Sequence, residues 1–234
     1  MKNVQAAELH GLRQVCAVSK YIIKYGRGES VKYISHLDFM RCFHRAIRRS
    51  PLQFEFSQGF NPHPIMTVAQ PLSVGVTSEC EYMKVGFDGD YDDGFVVSAL
   101  NEAMPDGFTV YAAKRTDSKE YDITKLDRAV YIVEIEYSGS FDADKFMSNS
   151  ELKVMKKSKS GVKESDIRPH IFDIKVLSEK DGIMTVEMCV SVGSAYNLKP
   201  ESVVEAMEKY SENFKSTFIS VHRKKMTCGD REYL

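Results

Sequence analysis

Tryptophan is absent from this chain of 234 residues, so any aromatic stacking surface has to be built from its 12 tyrosines and 13 phenylalanines. Cysteine is sparse: Cys16, Cys42, Cys80, Cys189 and Cys228 are odd in number, scattered and without a CxxC pair. That spacing argues against a disulfide framework and against a structural zinc site, and it fits reduced thiols in a cytoplasm. A CxxxCxxC iron–sulfur ligand set is missing as well. There is no Walker A loop, no GxGxxG after a strand and no GxSxG elbow, which removes the commonest nucleotide-binding and serine-hydrolase designs. No pair of histidines has the HxxxH spacing that sets two imidazoles on adjacent helical turns, so no metal is expected, and no cofactor. No apolar run approaches the roughly eighteen residues that span a bilayer. The first residues, "MKNVQAAELHGLRQVCAVSK", carry Glu8, His10 and Arg13 where a secretory signal has its apolar stretch. They read as an extension, and the expected location is the cytoplasm.

What is present is an ordinary globular composition, 43% hydrophobic and 28% charged, with charge of both signs in separate blocks. Between Lys20 and Arg49 eight basic residues face only Glu29 and Asp38. From Glu79 to Glu102 seven acidic residues face Lys84 alone. The net charge of −1 therefore hides a local field that an anion would feel.

Hydrophobic periodicity gives the element order. "KYIIKYGRG" reads as a strand ending at glycines. Ser35 then opens a helix as N-cap, with Asp38 in the capping-box position, apolar residues at helical spacing and Pro51 after its end. "LQFEFS" alternates as a short strand, "GFNPHP" is a loop, and "IMTVAQPLSVGV" and "CEYMKVGFDG" are rich in strand formers. "DDGFVVSALNEAMP" reads as a second helix and "GFTVYAAKRT" as a strand. The sum over residues 19–116 is β-α-β-β-α-β, the ferredoxin-like order. Residues 129–228 repeat it less clearly, so the expected architecture is α+β, two tandem ferredoxin-like domains. Residues 1–18 would be an N-terminal extension, 117–128 a polar linker and 229–234 a tail. The alternative is one α+β domain whose sheets merge.

The chemistry-bearing residues concentrate in "SHLDFMRCFHRAIRRSPLQFEFSQGFNPHP", Ser35 to Pro64. Asp38, Arg41, Arg45 and Arg48 fall on one stripe of the helix, opposite its apolar side, with Arg49 beside it. Such a stripe is either a solvated face with Asp38–arginine pairing or a row of guanidinium forks matched to phosphate oxygens. His36 sits in the first helical turn, where the helix dipole favours an anion. His63 is held between Pro62 and Pro64, which restrict its backbone. Both imidazoles also have bland readings, as a capping or core group and as a loop group bonded to a neighbour. His44 lies between helix faces and reads as structural. In the second half, "IRPH", "SAYNLKP" and "HRKK" stand out. Lys153, Lys156, Lys157, Lys159 and Lys163 form a basic loop or hairpin, read as solvated, with nucleic acid as the second option.

The blocks "YISHLDFMRCFHRAIRRS", "FSQGFNPHP", "AQPLSVGVTSECEYMKV" and "LNEAMPDGF" resemble, in that order, an uncharacterised bacterial family, the radical SAM-linked domain of unknown function. "DIRPHI" and "AYNLKPESVVEAM" are similar to its weaker later blocks, so the resemblance spans about residues 19 to 228. Arg49-Ser50 departs slightly from the usual Arg-Arg-Ala ending. Members of that family stand alone or are joined to the C-terminal end of a B12-binding-type radical SAM protein. Stand-alone genes often lie near such an enzyme and near a ribonuclease of the E/G type. The resemblance implies a radical SAM protein as partner and leaves the activity open. His36, Asp38, Arg41, Arg45, Ser57, Gly59, Phe60, Asn61 and His63 all lie on the matching blocks. If helix and loop meet, they form one polar patch.

Three functions follow. The first is a non-catalytic, RNA-binding or substrate-presenting partner of a radical SAM enzyme. It would use Arg41, Arg45, Arg48, Arg49, Ser57 and Asn61 as anion contacts, with Ser35, Asp38, Gly59, Phe60, Pro62 and Pro64 shaping the site. The second is a metal-independent RNA-processing enzyme with His36 or His63 as general acid or base. The third is a structural adaptor that docks through the acidic 79–102 region.

Overall fold

The computed structural model describes residues 18–116, 121–158 and 161–234. Strand β1 (Val18–Arg27) alternates, placing Tyr21, Ile23 and Tyr25 on one face and Ile22 on the other, all buried. Its end needs glycine: a Cβ on Gly26 would sit 2.6 Å from the Tyr111 hydroxyl and 2.9 Å from the Ser78 carbonyl. Helix α1 (His36–Arg49) starts as its sequence dictates. The Ser35 hydroxyl accepts the Asp38 N–H at 3.2 Å and donates to the Asp38 carboxylate at 2.8 Å. Its apolar stripe, Phe39, Phe43, Ala46 and Ile47, is buried against β1, with Phe39 stacked on Tyr25 at 5.0 Å. Ser50 ends the helix by donating its N–H to the Ala46 and Ile47 carbonyls before Pro51.

The first half continues with β2 (Met66–Val68), β3 (Thr77–Asp88), α2 (Asp93–Ala103) and β4 (Phe108–Arg115). The second half contains β5 (Arg128–Ser138), α3 (Ala143–Met147), β6 (Lys153–Ser158), β7 (Gly161–Asp166), β8 (Ile171–Lys180), β9 (Ile183–Ser191), α4 (Pro200–Tyr210) and β10 (Lys215–Thr227). Strands run β4-β1-β3-β10-β5-β9-β8, with β2 added on β3, and β6–β7 form a separate hairpin. Each half thus has the antiparallel order β4-β1-β3-β2 or β10-β5-β9-β8, the ferredoxin-like arrangement twice over. The two sheets merge into one, because β10 lies parallel to β3 through His222↔Thr77 and Arg223↔Ser78.

Register fixes where the helices lie. Glu81 pairs with Tyr25 on the face covered by α1 and α2, whereas Arg223 pairs with Tyr131 on the face that packs with α4. These two side chains meet across the seam at 3.0 Å, so both helical layers cover the same face of the continuous sheet. On the opposite face, the C-terminal residues cover β1 and β3: Tyr233 packs edge-on against Tyr82, and Lys24 reaches Glu232 at 2.9 Å.

One sequence expectation changes. "LQFEFS" is not a strand but makes isolated bridges, Phe54↔Phe87 and Phe56↔Pro64, and the second strand of the fold is Met66–Val68. Proline and glycine on its far side divert the chain before a ladder can form. Of the segment read as a polar linker, residues 117–120 lie outside the described residues, and Ile123 and Leu126 are buried in the core. The N-terminal extension lies outside the described residues except for Val18, the first residue of β1.

Candidate nucleic-acid interface

The outward stripe of α1 is as the 3.6-residue repeat predicts: Asp38, Arg41, Arg45 and Arg48 are all exposed. Arg41 pairs with Asp38 at 3.1 Å. Hydrogen bonds from the Ser35 hydroxyl first and Arg41 second hold the Asp38 carboxyl below its ordinary pKa. Arg45 and Arg48 have no carboxylate within 4.0 Å among the described residues, so their forks face solvent. Arg49, grouped with them from sequence, points elsewhere. It donates to the Ala103 carbonyl at 2.6 Å, where α2 ends with unsatisfied acceptors, and so ties α1 to α2.

The loop after Phe56 closes on itself. The Ser57 N–H donates to the His63 carbonyl at 2.8 Å, the His63 N–H donates to the Ser57 hydroxyl at 3.0 Å, and that hydroxyl meets His63 Nδ1 at 2.8 Å. Gly59 adopts φ 131°, in the region L side chains avoid, and this lets the loop turn. Pro64 is buried at the base, whereas Asn61 and Pro62 are exposed and the Phe60 ring stands fully in solvent at 112% relative exposure. An exposed phenylalanine on a pinned loop is a large apolar cost with no folding return.

Of the α1 imidazoles, His44 rather than His36 lies on the side toward the loop. The His44 ring lies edge-on to Phe54 at 5.6 Å, and its pKa is lowered by burial first and then by the nearby Arg48 and His63. Its Nε2 is buried without a hydrogen-bond partner among the described residues. Arg48 and the loop's His63 are thus the charged and titratable groups that lie near His44. Its position between the helix faces suggests a structural role. The i, i+4 spacing to Arg48 was the signal that it borders the charged stripe.

His36 is two turns away, about 12 Å along the helix. It lines a cleft of about 10 Å³ beside Tyr25, Arg27, Pro71 and Glu81. That space admits roughly one water and no nucleotide. Next to it the "AQPLSVG" and "AYNLKP" segments converge on a gap of about 20 Å³, where Asn197 and Lys199 approach Ser73 and Arg223. A buried ionic centre underlies both clefts, and it was not singled out from sequence. Arg223 holds both Glu81 oxygens and the Tyr131 hydroxyl at 3.0 Å, while Arg27 donates to the carbonyls of Val31, Lys32 and Ile34. An arginine between glycines at a strand end, "GRG", was the available hint. A wider groove of about 380 Å³ at the other side of the seam presents Glu29 and Glu79 beside His222 and repels a polyanion.

The acidic 79–102 stretch is used in part within the fold, and Glu79, Asp88 and Glu102 stay exposed. Glu81 is buried against Arg223, Asp90 pairs with Arg115, Asp92 caps α2 and Asp93 pairs with Lys114 at 3.2 Å. Among the described residues no group of His, Cys, Asp and Glu could hold a metal ion, and no helix is long and apolar enough to cross a membrane. Burial pushes the Cys80 thiol up to about 12, which makes it a poor nucleophile.

Among solved structures, the chain is similar to part of a Cbf5-Nop10-Gar1 complex, with a TM-score of 0.50 and 9% identity over 88% of this chain. It is also similar to an H/ACA RNP bound to a substrate RNA containing 2'-deoxyuridine, with a TM-score of 0.46, 9% identity and 87% coverage. A protein of unknown function from Galdieria sulphuraria matches at a TM-score of 0.27 and 13% identity over 88% of this chain and 99% of its own. The chain spans about half the length of the first two, 48% and 46%. At 9% identity and a TM-score of 0.50, the first likeness is one of fold. No curated protein matches. The family model for an uncharacterized protein conserved in bacteria (DUF2344) covers residues 20–200, and the chain belongs to that family.

Proposed function

We propose that this protein binds single-stranded RNA through α1 and the 57–63 loop and presents it to a radical SAM enzyme, without itself catalysing a reaction. The observation that carries RNA binding is the junction of two features. Arg45 and Arg48 stand unpaired on a helix face beside a rigid loop whose Phe60 ring is wholly exposed. Guanidinium forks match phosphate oxygens, and an aromatic ring stacks on any base, so together they suit a strand whose bases are unpaired. The partner enzyme rests on the family resemblance alone. The RNA-processing alternative, with His36 or His63 as general acid or base, stays the second reading: His36 lines a gap of about 10 Å³ and His63 is hydrogen-bonded to Ser57 within its loop. The adaptor reading keeps only part of its surface, since Glu81, Asp90 and Asp93 are paired within the chain while Glu79, Asp88 and Glu102 stay exposed.

The test is a pull-down with the tagged full chain from native lysate, with and without ribonuclease, followed by sequencing and mass spectrometry. RNA in the eluate, and a radical SAM protein that is lost on ribonuclease treatment, support the presenting role. A protein partner that survives ribonuclease with no RNA enriched makes the chain an adaptor. The paired substitution Arg41→Glu with Arg45→Glu is expected to abolish RNA capture without unfolding the chain, and unchanged capture would discard the arginine stripe.

A further inference from the structure

The β6–β7 hairpin breaks a pairing rule that the main sheet keeps. Lys156 stands directly across from Lys163, and both are exposed. Like charges directly opposite on a ladder destabilise it. Elsewhere the registers set opposites together: Lys153 faces Asp166 in the same hairpin, and Lys175 faces Glu187 between β8 and β9. Two neighbouring lysines have partners, Lys153 with Glu151 at 2.6 Å and Lys209 with Glu164 at 3.5 Å. Neither Lys156 nor Lys163 has a carboxylate within 4.0 Å among the described residues. A local rule broken without a counter-charge in the chain points to an external anion.

The surroundings hold Lys156 in place. Its ammonium lies 3.9 Å from the centroid of the Tyr196 ring, and the other face of that ring stacks on His170 at 3.4 Å and 4°. His170 Nδ1 is in turn 3.2 Å from the Ser191 hydroxyl. The nearby Asp166 carboxylate is occupied by the Leu152 and Arg168 backbone N–H groups. The hairpin stands on α4, with the Lys153 N–H donating to the Tyr210 hydroxyl at 2.8 Å and Lys209 to the Lys153 carbonyl at 2.9 Å. It therefore lies on the same face of the continuous sheet as α1, on the other side of the seam.

We infer that Lys156 and Lys163 form a second contact for the RNA backbone, with Tyr196 and His170 as its rigid support. This rests on the RNA-binding reading of α1 and extends it to both halves of the sheet. Cross-strand neighbours have Cβ atoms about 5 Å apart, so both ammonium groups reach one phosphate or two adjacent ones. The anion removes the repulsion that the empty hairpin carries. Lysines act there as point charges, which tolerate a backbone whose exact path varies.

The experiment measures fluorescence anisotropy of 5′-fluorescein-labelled oligo(U) RNA, twenty nucleotides long, with the full chain over a potassium chloride series. Lys156→Gln with Lys163→Gln should flatten the salt slope by about 1.4, two single-strand contacts at about 0.7 each. Lys156→Glu should weaken binding at least about tenfold while its thermal midpoint holds or rises, because it sets opposite charges across the ladder. A midpoint lowered by several degrees would overturn the like-charge argument. Unchanged affinity and slope in the lysine variants, with loss in Arg41→Glu/Arg45→Glu, refutes the hairpin contact and leaves the α1 site standing. Loss in the lysine variants alone supports the hairpin and removes the α1 stripe. No loss in either set removes both.

Discussion

Replacing Glu81 by Gln should be among the most damaging single polar changes in the molecule. Among the described residues the seam between the half-sheets contains the pairs His222↔Thr77 and Arg223↔Ser78. Next to them Arg223 donates to both Glu81 oxygens at 3.0 Å, to the Tyr131 hydroxyl at 3.0 Å and to the Gln70 carbonyl at 3.1 Å. The two charged side chains are 5% and 1% exposed, so water screens them little. Burial alone would lower the Arg223 pKa, yet it stands raised because the Glu81 carboxylate and its other neighbours outweigh that desolvation. Gln keeps one acceptor but leaves the guanidinium buried without its counter-charge, and breaking such a pair costs about 3–5 kcal/mol. One acceptor retained places the loss near the lower end, about 3 kcal/mol, a large share of a typical domain's stability of about 5–15 kcal/mol. At this chain length that corresponds to a thermal midpoint roughly 6–12 °C lower. Urea unfolding followed by circular dichroism measures it. In a cycle with Arg223→Met, the double variant should recover at least about 1 kcal/mol relative to the sum of the singles. A single-variant loss under about 1 kcal/mol, or strict additivity, would refute the claim that this pair holds the seam.

Gly26→Ala should cost about 1–3 kcal/mol by overpacking, since its Cβ would meet both the Tyr111 hydroxyl and the Ser78 carbonyl. Adding Tyr111→Ala should restore only part of that in urea melts, because the Ser78 contact is backbone. Asp92→Ala removes the acceptor of the Gly94 and Phe95 N–H groups at the start of α2. It should cost about 1 kcal/mol, with faster hydrogen exchange confined to the first turn of α2. His63→Ala should change stability by less than about 1 kcal/mol, because the residue is exposed and its bonds stay within the loop. A larger loss in thermal melts would make His63 a structural hub. Burial lowers the pKa values of His44 and His170. In the window from the ordinary histidine pKa of about 6.5 down to those lower values, the unfolded chain binds more protons than the folded one. Stability should therefore fall as pH drops from about 7.5 to 5.5, less steeply in His44→Gln, and a flat or opposite trend by thermal melts would refute it.

Local signals were strong enough to place most elements. Ser35 with Asp38 fixed the start of α1, and the i, i+3, i+4 spacing of Phe39, Phe43 and Ile47 fixed its buried face. The exposed arginine stripe follows from the same repeat. β6 and β7 were harder to place, because a hairpin exposed along most of its length has no buried face to impose alternation, and cross-strand pairing alone makes it a ladder. "LQFEFS" had the alternation without a partner of matching length, so it became two isolated bridges. Arg49 sat beside the stripe in sequence, but the end of α2 captured it.

The sequence by itself therefore determined the α+β class, the ferredoxin-like order in each half, the charged stripe of α1 and the closed turn around the prolines. Each depends on periodicities, caps and turn residues that act within a few positions of one another. Tertiary structure alone decided that the two sheets share a seam, that His44 rather than His36 lies near the loop's His63, and that Glu81, Asp90 and Asp93 are paired within the chain. It also decided that Lys156 faces Lys163 beside a stacked Tyr196–His170 pair. Those are long-range encounters set by strand order and register, and a one-residue slip in register would turn each of these side chains to the other face.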